Sequence, residues 1–449
     1  MAWERKLSRT VRVRNVQVRG QLARLLSAIS EAGSTVGEIH LLTETSQHVM
    51  RDIVIYAESE EQLAATLAAI ETLEGTKVIG VRDEVLELHV KGKIAIRSRY
   101  PIDSLATLRK VYTPGVAEVC LKIAKDPSLA RQYTSISHMV AIVTDGTAVL
   151  GLGDIGPLAG MPVMEGKAML METLVGLSGI PILLNTKDTE EIIAAVAAIS
   201  PTFAAIQLED ISAPRCFEIE ERLQKMLDIP VLHDDQHGTA VVVTAALMSA
   251  SRLTGVYLSS AKIGQIGLGA AGQAIAQMLM SLTGNPVWGA DLNPDALKRL
   301  AANGGKASNL TEIMANCDIV VATTGARGLI KPGMVRKDQV ILALSNPNPE
   351  IEPEVALQNG ALFAADGKSV NNVLGFPGIF RGAVDANASR ISDEMLLAAA
   401  QIISEMTPPG DLVPNPLDKA VHRAVARAVA QKAIEQGIAR AEYVPYTED

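Results

Sequence analysis

The chain has 449 residues, too many for one ordinary hydrophobic core, so two or three domains are expected. Its 48% hydrophobic and 20% charged residues are a globular composition, and a net charge of −9 argues against nucleic acid or an anionic membrane as partner. MAWERKLSRTVRVRN has no apolar signal core, no apolar run reaches the roughly 18 residues of a membrane helix, and Cys120, Cys216 and Cys317 are few and scattered, so the expectation is a cytoplasmic protein whose three thiols serve packing.

Residues 8 to 90 read as a βαββαβ unit. Val11, Val13, Val16 and Val18 alternate with Thr10, Arg12, Arg14 and Gln17 as in a strand. Gly20 opens a helix with Leu22, Leu25, Leu26 and Ile29 on one face, and Gly33 fits its C-terminal cap. Strands are expected at 35–42, 49–57 and about 77–81, with the helix EEQLAATLAAIETL between the last two. The pattern resembles an ACT domain, a ferredoxin-like α+β module that often binds a small regulatory effector. A dimerisation module without a ligand is the competing reading.

A connection over 88–99 leads to LRKVYTPGVAEVCLKIAKDP, where a Thr113-Pro114-Gly115 turn precedes a helix over 116–125 and leaves Tyr112 at its lip. Such a tyrosine is ordinarily structural. A buried strand over 139–144 then meets a loop rich in glycine at 151, 153, 156 and 160. Lys167 follows, read as lying near the start of an apolar helix, where dipole and apolar neighbours disfavour its charged form; the bland reading is a snorkelling surface lysine. Strands over 182–185 and 203–208 flank a helix over 188–199 and end at Glu209-Asp210. The run Ile229–Leu232 ends at His233-Asp234-Asp235-Gln236-His237, and Gly238-Thr239 is read as opening the next helix. Either acidic pair alone is most simply a solvated loop. Together, at the ends of buried strands, they suit a hard divalent cation, Mg²⁺ or Mn²⁺.

A second α/β domain begins at residue 251. A strand over 262–266 runs into Gly267-Leu268-Gly269-Ala270-Ala271-Gly272 and then a helix, the context that makes such a glycine motif a dinucleotide site. Gly267 makes the turn, Gly269 admits the pyrophosphate, and Gly272 lets helix pack on strand. The next strand ends at Asp291, roughly 20 residues on, where an acid bonds the ribose 2′-hydroxyl. No Arg or Lys directly follows Asp291, which favours NAD; Lys298 and Arg299 keep NADP open. CDIVVATTGARG and QVILALSNPNPE continue a doubly wound sheet. Asn346 stands in a turn with Pro347 and Pro349, and Asn371 and Asn372 lie in what reads as an irregular loop through Gly375, Pro377 and Gly378. Neutral amides there orient a carboxylate or hydroxyl, although asparagine in a turn is commonly only turn chemistry. Helices are expected from Ser392 onward, interrupted over 407–416.

The series Tyr112 in VYTPGVAEVC, Lys167 in PVMEGK, Glu209-Asp210, DDQHGTA, GLGAAG, SNPNPE and NNVLGFPG, in this order over about residues 90 to 449, resembles the malic enzymes of the shorter bacterial type. The resemblance implies metal-dependent oxidative decarboxylation of L-malate to pyruvate and CO₂ with reduction of NAD. It implies Lys167 as base, Tyr112 as acid at C3, and Asp234 orienting Lys167. Glu209, Asp210 and Asp235 correspond to the metal ligands. Asn346, Asn371 and Asn372 correspond to substrate contacts, and Asn346 is counted with Gly267, Gly269, Ala270, Ala271, Gly272 and Asp291 toward the cofactor. The expected architecture is two α/β domains, one for substrate and metal (91–250) and one Rossmann-type for NAD (251–388). A small ACT-like domain (1–90) precedes them and a helical segment (389–449) follows, in a homodimer or homotetramer. Larger malic enzymes have an arginine after the TDG turn that grips a substrate carboxylate; here that position is Ala148. A malolactic enzyme, a shikimate- or amino-acid-type dehydrogenase and a ligand sensor built on an inactive dehydrogenase are the rival readings.

Overall fold

Alternating valines make the first strand: β1 (Leu7–Val16) buries Val11 and Val13 and leaves Arg14 exposed. The computed structural model describes residues 7–149, 151–346 and 348–446, so Pro347 lies outside the described residues. Val18, expected to prolong β1, is exposed beyond its end. β2 (Thr35–Glu44), β3 (His48–Ala57) and β4 (Thr76–Arg82) complete an antiparallel sheet in the order β2-β3-β1-β4. Leu25 and Ile29 of helix Gln21–Glu31, and Leu63 and Ile70 of helix Glu60–Glu71, form one core with Val11, Val13, Ile53 and Ile55. Asp52 takes two 2.8 Å hydrogen bonds from Arg12 and one of 3.0 Å from Arg82. This is the expected ferredoxin-like arrangement, with a short helix, Glu84–His89, running into the stretch read as a connection. Chain contacts group it as the unit Met1–Ala95, separate from Ile96–Asp449.

The second unit contains two parallel sheets. β5 (Met139–Thr144), β6 (Ser178–Leu183), β7 (Ala205–Leu208) and β8 (Val231–His233) are ordered β6-β5-β7-β8. Their near-continuous apolar runs fit strands covered on both faces. β9 (Ile263–Ile266), β10 (Trp288–Ala290), β11 (Lys306–Ala307), β12 (Ile319–Ala322), β13 (Val340–Ala343) and β14 (Phe363–Asp366) follow in the order β11-β10-β9-β12-β13-β14. That order is the doubly wound dinucleotide-binding one, with its switch point between β9 and β12. Among the described residues, no helix is long and apolar enough to cross a membrane.

Three expectations are corrected here. The segment after Gly375, read as an irregular loop, is the helix Phe376–Asp385. A Cβ on Gly378 would lie 2.8 Å from the Val425 side chain, and one on Gly382 would lie 2.3 Å from the Ala426 carbonyl, so both glycines serve close approach to helix Lys419–Glu435. The boundary expected at 250/251 falls inside the helix Asp234–Thr254, which stops at Gly255 in the left-handed region (φ 76°). That helix packs on Ala270–Thr283 beside β9 and on Asp393–Glu405, where Arg252 donates to Ser404 Oγ at 2.6 Å. Cys216 and Cys317 are buried as packing requires, but Cys120 is exposed.

Candidate active site

Parallel strands end side by side, and the acids collect at those ends. Glu209 and Asp210 follow β7; Asp234 and Asp235 follow its neighbour β8. No loop separates β8 from the next helix, which starts at Asp234 and not at Gly238. The acids therefore occupy the first helical turn, where the helix dipole favours negative charge.

Carboxylate oxygens of Glu209, Asp210 and Asp235 lie within 4.8 Å of one another. Asp210 has φ 54°, its amide donates to Asp235 Oδ2 at 2.8 Å, and its carbonyl accepts from the Ala148 amide at 3.0 Å. Its Oδ2 is buried without a hydrogen-bond partner among the described residues. Burial, reinforced by Asp235 and Glu209, pushes the Asp210 carboxyl up to about 8. Burial likewise raises Glu209, against the pull of Lys167. A crowded, orphaned, all-oxygen set of this kind fits Mg²⁺ or Mn²⁺.

Lys167 lies in the middle of helix Pro157–Val175, not near its start, so the dipole argument for an easily lost proton does not apply. Its Nζ pairs with Asp234 Oδ2, stands 3.0 Å from Glu209 Oε1 and lies 4.5 Å from the centroid of the Phe376 ring. Burial works against the charge, but Asp234, Glu209 and Asp235 outweigh it and raise the pKa, the reverse of the expected direction. Asp234 itself is pushed up to about 6 by burial, with Lys167 opposing. Asn372 Nδ2 donates to the same Asp234 Oδ2 at 3.0 Å.

The structure thus joins Lys167, Asp234, Glu209, Asp210, Asp235 and Asn372. Tyr112 caps helix Leu105–Val111, is 66% exposed, and has no hydrogen bond to this cluster among the described residues. Asn346 donates to the Gly367 carbonyl at 3.3 Å, and Asn371 accepts from the Val373 amide at 3.0 Å as a cap, so both carry turn chemistry here.

Two residues escaped the sequence reading. Glu220 is 5% exposed and accepts from the His233 amide (2.8 Å), Gln236 Nε2 (3.0 Å) and His237 Nε2 (3.0 Å), tying down the turn that carries Asp234 and Asp235. Burial pushes its carboxyl up, but His237 prevails and holds it low. The readable signal was spacing: Cys216, Ile219, Glu220 and Leu223 share one buried helical face. Arg215 reaches the TDG turn near Ala148, but its guanidinium is occupied by Asp145 at 2.8 Å, Thr147 at 2.9 Å and the Lys187 carbonyl at 2.9 Å. It braces that loop.

At the dinucleotide turn Gly267 has φ 87°, and a Cβ there would lie 2.6 Å from the Thr323 carbonyl. A Cβ on Gly272 would meet the Gly267 carbonyl at 1.9 Å, whereas Gly269 has nothing within 4 Å. The open face at Gly269, ahead of the helix that Ala270 and Ala271 begin, is what an approaching pyrophosphate requires. Asp291 accepts from the Leu268 amide at 2.6 Å and the Asn293 amide at 2.8 Å, which fixes it at the rim of this turn. The residues fit a dinucleotide.

Comparison with known proteins gives consistent results. A family described as malic enzyme, N-terminal domain, matches residues 92–191 and 184–224, and malic enzyme, NAD binding domain, matches 295–436. Residues 232–331 match the NAD binding domain of D-isomer specific 2-hydroxyacid dehydrogenases. NAD-dependent malic enzyme 1 of Bacillus subtilis (strain 168) is 57% identical over 428 residues, covering 95% of this chain and 98% of its own. The bifunctional malic/malolactic enzyme of the same organism is 42% identical, covering 81% of this chain and 95% of its own. The crystal structure of malic enzyme from Pyrococcus horikoshii Ot3 superposes with a TM-score of 0.76 at 40% identity, over 80% of this chain and 92% of that one.

Proposed function

This chain belongs to the malic enzyme family, and from that premise we propose how its residues divide the reaction. The reaction is the NAD-dependent oxidative decarboxylation of malate to pyruvate and CO₂ with a divalent metal. When bound, the metal supplies Lewis acidity and the nicotinamide accepts a hydride.

We assign Glu209, Asp210 and Asp235 to the metal and Gly267, Gly269, Ala270, Ala271, Gly272 and Asp291 to NAD. Lys167 is assigned to take the proton from the C2 hydroxyl of malate, a role that the pull of Asp234, Glu209 and Asp235 opposes here and that a cation shared by Glu209 and Asp235 would favour. Asp234 orients the Lys167 Nζ, and Asn372, assigned to substrate, donates to the same Asp234 oxygen. Tyr112 is assigned to deliver a proton to C3 of enolpyruvate; Asn371 is assigned to substrate and Asn346 to substrate and cofactor, roles beyond the turn hydrogen bonds both make here. The observation that carries this reading is a buried lysine paired to Asp234 beside an all-oxygen metal set. Residues 1–90 are assigned an ACT-like role, effector binding or assembly, on the strength of their βαββαβ order. Residues from 91 to the end of helix Asp234–Thr254 serve malate and metal, those from there to 388 serve NAD, and 389–449 pack back on the core, in a cytoplasmic homo-oligomer.

Lys167→Ala tests the central assignment. It is expected to abolish Mn²⁺-dependent NADH formation from L-malate while NAD binding, followed by fluorescence, persists. Retained turnover would remove Lys167 from the role of base. Lactate in place of pyruvate and NADH in the wild-type assay would move the protein to the malolactic reaction.

A further inference from the structure

Away from the acids, the second unit gathers positive charge in a cavity of about 580 Å³ that shares no lining residue with the metal set. Arg99, Arg131 and Arg381 line it, with Ser128, Gln132, Ser137 and Asn387 as neutral hydrogen-bonding groups and His138, whose charge burial and the arginines disfavour. We propose that this cavity binds a small polyanion of the phosphate or polycarboxylate kind.

Two of its cations, Arg99 and Arg131, meet no carboxylate among the described residues, in a chain whose net charge is −9. The one acid in the lining, Asp385, is committed to Arg381, whose Nε donates to it at 2.9 Å. Arg131 is half-buried and donates to the Val384 carbonyl at 3.2 Å. Among the described residues no carboxylate lies within 4.0 Å of the guanidinium of Arg131 or of Arg99. Burial, with Arg440 nearby, disfavours the charge on Arg131. A guanidinium that meets no carboxylate among the described residues is a group suited to one brought by a ligand.

The wall is built to hold its shape. Gly176 has φ 65°, and a Cβ there would lie 2.2 Å from the ring of Tyr446, so this glycine admits the ring. That ring stacks 4.6 Å from the Arg381 guanidinium, whose other edge is fixed by Asp385. Beyond this wall a second cavity, of about 640 Å³, shares Arg381, Asp385 and Tyr446 and adds Arg423 and Arg427, so the field is positive on both sides. The first cavity has the volume of a small-molecule site, and two separate guanidinium groups without a carboxylate partner among the described residues call for a ligand with at least two negative charges.

The test is calorimetric titration of the full-length protein with inorganic phosphate and, separately, tricarballylate. Wild type, Arg131→Met and Arg99→Met are compared. Saturable binding to wild type is expected, weakened roughly tenfold or more in each variant. Malate oxidation without probe stays unchanged in kcat and KM. Binding of phosphate alone, or of tricarballylate alone, supports the site and identifies the chemistry of its ligand. The absence of saturable binding to wild type, or equal affinity in wild type and variants, overturns the proposal. Arg99 is exposed, so its replacement keeps the test open if Arg131→Met fails to fold.

Discussion

Glu220 and Tyr112 stand in opposite conditions, one buried and fully engaged, the other exposed. Truncating Glu220 to Ala strands two buried donors, each at about 1–3 kcal/mol, and the part-buried His237, and frees the turn bearing Asp234 and Asp235. The expected result is a lower thermal midpoint together with Mn²⁺ affinity weakened roughly tenfold or more, read by paramagnetic resonance titration. Unchanged Mn²⁺ affinity in a destabilised variant would make Glu220 a fold residue only. Tyr112→Phe should leave stability within about 0.5 kcal/mol, because an exposed phenol contributes little. It should slow ketonisation of supplied enolpyruvate more than oxidation of malate; equal loss in both assays would assign Tyr112 to positioning.

Between helices Phe376–Asp385 and Lys419–Glu435, two glycines replace the usual interlocking side chains. Gly382→Ala forces a methyl against the Ala426 carbonyl and should cost about 1–3 kcal/mol, measured by calorimetric unfolding. An unshifted midpoint would mean that the helices can part freely. This contact also explains why the helix was not legible in the sequence: Gly375, Pro377, Gly378 and Gly382 signal a loop locally, while the reason for them is a tertiary neighbour far along the chain. The turn at Gly267 was legible because strand, glycines and helix are contiguous. The gathering of the acids was legible because each pair ends its own apolar strand. The charge state of Lys167 was not, since the acids that raise its pKa come from two distant strand ends and no local pattern reports their approach. Four-residue β14 was too short for its alternation to stand out.

For the molecule as a whole, an acid cluster held together without its cation stores repulsion that binding relieves. Mn²⁺ at about one hundred times its Kd should stabilise the fold by about 2.7 kcal/mol, a gain that EDTA reverses. Asp210→Asn should abolish that gain and raise the metal-free midpoint, because one crowded carboxylate is then neutral. A metal-free midpoint below wild type would contradict the repulsion. The long helix Asp234–Thr254 has a consequence for how such enzymes can be recombined. It begins with Asp234 and Asp235 at the acid cluster and ends as a wall on which Ala270–Thr283 and Asp393–Glu405 rest. A hybrid exchanging cofactor preference with a relative by a crossover at residue 250 would splice one parent's rod into the other parent's socket. A junction in 255–262 keeps the rod with the acids it carries but sets its flank against foreign partners. Hybrids that work should therefore import the helix faces of 270–283 and 393–405 as matched inserts, and natural exchange of the dinucleotide segment alone should be rare.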